Sequence, residues 1–115
     1  MGYKMDDAWL IARCNKFIQK YFDKDFPEVH LKWKKPFVKG HGAEFLEHNG
    51  KRFILLNPIL RKLGTENYAL ICLLHEMCHA KLSVHPLPGA RRGHGKTFQQ
   101  EMKRLAVLGA FDSIW

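Results

Sequence analysis

His75-Glu76-Met77-Cys78-His79 spells H-E-x-x-H, and no other stretch of the chain carries as much chemistry. On an α-helix, residues four apart project from one face, so the two imidazoles could grip a single Zn²⁺. The glutamate beside the first histidine can then reach a metal-bound water and take its proton. Zinc brings the pKa of such a water to roughly 7, so hydroxide is available at neutral pH. The pattern is the signature of zinc-dependent peptide hydrolysis, with Glu76 as general base.

Hydrolysis needs a third protein ligand and one open coordination position. Two downstream histidines compete for that role. His85 lies six residues past His79, the spacing of H-E-x-x-H-x-x-G-x-x-H sites. There a glycine turns the chain out of the helix, but this sequence has Leu82 at that position, and Pro86 holds His85 extended. His94 is the stronger candidate. It stands in Gly93-His94-Gly95-Lys96-Thr97-Phe98, just ahead of a second helical pattern. The loop from Ser83 to Arg92, with two prolines and a glycine, is long enough to return the chain to the first helix. Tyr68 and Arg92 are open candidates for stabilising the oxyanion.

The elements that must position these groups follow from periodicity. Residues Thr65 to Leu82 read as one helix, with Thr65 at the N-cap and Ile71, Leu74, Cys78 and Leu82 forming an apolar stripe beside the histidine face. A last helix is expected over Lys96 to Leu108, with Phe98, Met102, Leu105 and Leu108 on one face and Gly109 as terminator. Upstream, a helix spans Asp6 to Phe22, its inner face drawn from Trp9, Ala12, Cys14, Phe17, Ile18 and Phe22. A strand follows near Val29 to Trp33. Asn49-Gly50, between Ala43–His48 and Lys51–Leu56, marks a β-hairpin with a two-residue turn. Gly40-His41-Gly42-Ala43-Glu44-Phe45 repeats the G-H-G-x-x-F pattern of residues 93–98, but the hairpin after it places His41 at the start of a strand rather than at a metal. His30 and His48 have no partner at metal spacing. The whole reads as one α+β domain, residues 1–115, with a small antiparallel sheet packed against the H-E-x-x-H helix. The sheet edge could hold an extended substrate by strand addition.

H-E-M-C-H-A, a basic loop and then G-H-G-K-T-F, preceded by Arg52-Phe53-Ile54-Leu55-Leu56-Asn57-Pro58-Ile59-Leu60, resembles the SprT-like metallopeptidase family, which includes the Spartan proteases. The resemblance covers roughly Arg52 to Leu105. It implies a zincin-like fold, zinc held by His75, His79 and His94, Glu76 as catalytic base, and work on proteins crosslinked or tightly bound to DNA. Many family members carry a C-terminal zinc ribbon. Cys14, Cys72 and Cys78 form no C-x-x-C pair, so no four-cysteine site is expected and DNA recruitment falls to the domain itself or to a partner.

The formal charge of +8 and pI near 9.6 favour polyanions. Lys32, Trp33, Lys34 and Lys35 place cations beside an aromatic ring, a composition suited to single-stranded DNA. Arg91 and Arg92 stand just before His94. The plainer reading makes these residues a solvated basic face with Trp33 in the core. No apolar run reaches the roughly 18 residues of a membrane span, no signal-peptide core is visible, and unpaired cysteines suit a reducing compartment. A cytoplasmic location is expected, or a nuclear one in a cell with a nucleus. The expected partners are a protein or peptide substrate and DNA; nothing in the sequence specifies an oligomeric state. Two rivals stand beside the DNA-linked peptidase: a basic nucleic-acid-binding module with a structural or silent zinc, and a zinc peptidase unconnected with DNA. Phe111, Ile114 and Trp115 are apolar residues that could cover either the core or a partner.

Overall fold

In a computed structural model, which describes residues 5–62, 66–84 and 94–114, the chain forms a mixed α/β domain with a three-stranded sheet and four helices among those residues. Helix α1 spans Asp7–Tyr21. The Asp6 carboxylate accepts the Trp9 amide N–H at 2.9 Å, which satisfies a backbone donor that the first turn leaves free. Leu10 and Cys14 point into the core, with Trp9, Phe17 and Ile18 partly buried beside them. Ala12, expected inward, is exposed. Two residues on from Leu10 it is turned about 200° around the helix, so it falls on the opposite face.

Strand β1 is His30–Trp33, β2 is Ala43–His48 and β3 is Lys51–Leu56. The hairpin β2–β3 turns at Asn49 (φ 52°) and Gly50 (φ 76°), both left-handed as a type I′ turn requires. The sheet order is β1-β3-β2, and β1 runs parallel to β3. The sheet is therefore mixed, not antiparallel as expected. The connection at 34–42 carries the chain across the end of β3, where Lys34 N–H donates to Leu56 O (2.9 Å) and Asn57 N–H to Gly42 O (2.8 Å). Adjacent strands lie about 4.8 Å apart, so nine residues easily cross one strand and leave β3 in the middle.

After β3 comes a four-residue helix, α2 (Ile59–Lys62), which periodicity did not reveal. Its first amide is met locally, as Ile59 N–H donates to the Asn57 side-chain oxygen (3.1 Å). Helix α3 (Glu66–Leu82) is the central element, buried on most of its circumference through Leu70, Leu73, Leu74, Met77, Ala80 and Leu82. Its far end is tied to β3: Arg52 Nε donates to Ser83 Oγ (2.8 Å), which donates to Ala80 O (2.6 Å). Helix α4 spans Lys96–Val107, and Gly109 at φ 90° turns the chain away after it. Phe111 is buried and Ile114 packs against the core, so these two cover the domain itself. Thr65, His85, Arg91, Arg92 and Trp115 lie outside the described residues. No helix among the described residues is long and apolar enough to cross a membrane.

Candidate active site

His75 and His79 face the same side of α3, one turn apart, with ring centroids 5.1 Å from each other. His94 comes from the residue before Gly95, the N-cap of α4. Its Nε2 lies 3.1 Å from His75 Nε2 and 3.2 Å from His79 Nε2. Gln99 fixes that approach by donating from Nε2 to the His94 carbonyl at 3.1 Å. One ligand atom from each of the three histidines lies within 4.8 Å of the others.

Phe98 forms the wall behind them. Its ring centroid is 4.9 Å from His75, 4.4 Å from His79 and 4.8 Å from His94, and it is only 5% exposed. Periodicity marked Phe98 as an inward residue of α4. Its contact with all three imidazoles is a tertiary fact with no local signal.

Do these residues fit a metal? Hydrogen bonds alone serve the arrangement poorly, because one His94 nitrogen faces two others and cannot share a proton with both. A cation at the common point satisfies all three lone pairs. Tetrahedral zinc with Zn–N near 2.0–2.1 Å would separate its nitrogen ligands by about 3.3 Å, close to the spacings observed. Protonation favours the same conclusion. Burial, then the neighbouring His94, holds His75 below its usual pKa. Burial, then His75 and His94, lowers His79 to about 4. The imidazoles are therefore poised as neutral donors, the form that binds metal. The residues fit zinc.

Glu76 sits next to this cluster and is 7% exposed. Its Oε2 is 4.0 Å from His75 Nε2. Burial pushes its carboxyl up to about 7, opposed by a hydrogen bond from the Phe45 backbone N–H and reinforced by Glu44. That bond brings β2, an outer strand of the sheet, against the histidine face of α3. A cleft of about 620 Å³ opens here, lined by His75, Glu76 and His94 on one side and by Gly40, His41 and Gly42 on another. Such a volume is in the range of sites that enclose a ligand or side chain.

A model of the SprT-like family matches residues 10–112, nearly the whole chain. The chain belongs to the SprT-like family. Membership in this zinc-associated family suggests a zinc-dependent protease, and the three convergent histidines could hold the metal. No curated protein and no solved structure matches the chain.

The remaining expected site residues divide. Tyr68, a candidate for oxyanion stabilisation, lines the cleft and is hydrogen-bonded to the Cys72 thiol. His41 was expected only at a strand start, yet the crossing segment brings it to the cleft wall. Asn57 Nδ2 holds its carbonyl at 3.3 Å. Lys32 and Lys34 are exposed and line a different groove, on the other face of the sheet. Trp33 does not join them. Its indole stacks on Trp9 (6.3 Å), lies under the Arg61 guanidinium (5.0 Å) and donates from Nε1 to Asp6 O (3.1 Å). Alternation along β1 turns Trp33 to the side of its neighbour Leu31, in the core. Lys35 is exposed and lines neither the cleft nor the groove.

Proposed function

We propose that this chain is a zinc endopeptidase with a zincin-like site that acts on proteins associated with or crosslinked to DNA. The observation that carries the peptidase reading is the buried Glu76 carboxyl beside three converging imidazole nitrogens, at the mouth of a cleft bordered by β2, an outer strand of the sheet among the described residues. His75, His79 and His94 would hold the metal beside the cleft. Zinc bound there supplies Lewis acidity to water and to the scissile carbonyl.

The chain's own residues do the rest. Glu76 takes a proton from the attacking water and returns it to the leaving amine. A carboxyl held near neutral pKa is suited to both transfers. The Phe45 amide aims Glu76, and Phe98 keeps the three rings from turning away. A substrate segment lying along β2 in extended form would pair with backbone groups of this outer strand and pass over Glu76. His41 and Tyr68 face that path from the cleft walls.

The DNA part of the reading is supported by the net charge of +8 and by the sequence resemblance to Spartan-type proteases. The test is cleavage of a basic DNA-binding protein by the zinc-loaded chain, with and without single-stranded DNA. Cleavage that needs both DNA and Glu76 is the expected result. Cleavage indifferent to DNA would leave the peptidase and remove the DNA role. Full activity in Glu76→Gln would refute the mechanism.

A further inference from the structure

The face of the sheet turned away from α3 carries a second groove. Register fixes its composition. Leu31, Ile54 and Phe45 stand side by side across the three strands, as do Trp33, Leu56 and Ala43, and all of them pack on the core. The alternate rows must face outward. One is His30, Phe53 and Leu46; the next is Lys32, Leu55 and Glu44. Lys34 extends β1 by its bond to Leu56 and so falls on the same side as Lys32.

The crossing segment folds over this face. Phe37 N–H donates to Glu44 Oε1 at 2.8 Å, and Lys34 Nζ lies 5.8 Å from the centre of the Phe37 ring. Leu55 is thereby 4% exposed although it lies on the outer face. Phe37 itself is 74% exposed, an aromatic ring presented to solvent on a pinned backbone. The groove between is floored by Leu46, Phe53 and Leu55 and walled by Lys32, Lys34, Phe37 and His48. Glu47 also lines the groove and faces Arg52 Nε at 3.8 Å, whereas Glu44, which holds the Phe37 amide, lines the histidine cleft. Lys32 and Lys34 outnumber the single carboxylate, Glu47, among the groove's lining residues.

An apolar floor, an exposed aromatic ring and two cations two residues apart suit one kind of partner. Phosphates meet the ammonium groups while a base lies on the ring, an arrangement tolerant of sequence. An acidic peptide would match the lysines but would leave the face of Phe37 without a planar partner. We propose that this groove binds single-stranded nucleic acid, with a base on Phe37 and backbone phosphates at Lys32 and Lys34. The proposal deepens the DNA part of the function proposed above and rests on it. The groove and the cleft are two distinct sites that approach each other at Glu44, which holds the Phe37 amide and lines the cleft.

The test is binding of a fluorescent oligothymidylate to the zinc-loaded full chain, followed by anisotropy across a salt series. Lys32→Glu with Lys34→Glu should weaken binding more than tenfold and reduce the slope of log affinity against log salt by about 1.4, as expected for two lost phosphate contacts. Phe37→Ala should weaken it about tenfold, and Phe37→Trp should retain it. Lys16→Glu with Lys24→Glu, the same charge change on exposed residues of α1 and the turn after it, is the control. Unchanged thermal stability and unchanged zinc affinity would show that the groove variants fold. Equal loss in the groove and control pairs would overturn the groove. So would undiminished binding in the groove variants, while leaving the DNA reading intact. No binding by the wild-type chain would remove both DNA readings and leave the peptidase standing.

Discussion

Glu76 concentrates the physics of this site in one side chain. Its carboxyl is desolvated, so the folded protein holds the proton more tightly than the unfolded chain does. Metal-free protein should therefore lose stability as pH rises from 4.5 through about 7, where the folded state must finally ionise a buried group. Glu76→Gln keeps the shape and removes the ionisation. Its advantage in metal-free stability should grow across that window and then level off, at on the order of 2–3 kcal/mol. Urea unfolding of both proteins at several pH values measures it. Parallel pH profiles would mean that the carboxyl is not desolvated as described. His79 has the opposite sense: its lowered pKa costs stability as pH falls from 6.5 toward 4, in both proteins alike.

Among the elements, the junction of α3 with α4 matters most, because it brings His94 to its partners. Glu101 on α4 accepts from Lys81 of α3 at 3.0 Å and from Arg104 at 3.0 and 2.7 Å. Burial alone would raise its pKa, but the bonds from Arg104 and Lys81 overcome that and hold it below the usual carboxylate value. Its contribution is therefore present above pH 4.5 and is lost as pH falls through the lowered value. Glu101→Gln should cost about 2 kcal/mol at neutral pH and little in acid, since it leaves two partly buried cations without their partner. The same change should weaken zinc binding, read by competition with a chelator, because α4 carries His94. Normal zinc affinity in a destabilised variant would show that the clamp and the site are independent.

For the whole molecule, ligands drawn from two separate helices make metal binding a stabilising crosslink. Zinc binds the assembled site and not the unfolded chain to the same degree, so folding and loading are linked. At free zinc a thousand times the dissociation constant, the gain should be about 4 kcal/mol, visible as a melting temperature that falls when a chelator is added. His94→Ala should abolish most of that shift while leaving the metal-free melting point nearly unchanged, since His94 is exposed. A full zinc shift in His94→Ala would exclude it as a ligand.

Much of this protein was legible from local pattern. H-E-x-x-H on a helix, a first helix beginning near Asp6, the Asn49-Gly50 turn and the start of α4 at Lys96 each depend on residues within a turn or two of one another. Short-range geometry determines such features wherever the chain later folds. The order of the strands was not legible, because alternation assigns each residue a face but names no neighbour. Nor was α2, whose four residues are too few to show a period. Two other assignments depended on packing across the domain: His41 to the cleft, and Phe98 behind three histidines. Sequence alone determined which residues could do chemistry and on which elements they ride. The tertiary structure decided which of them meet, because apolar burial is summed over the whole chain and has no memory of sequence distance.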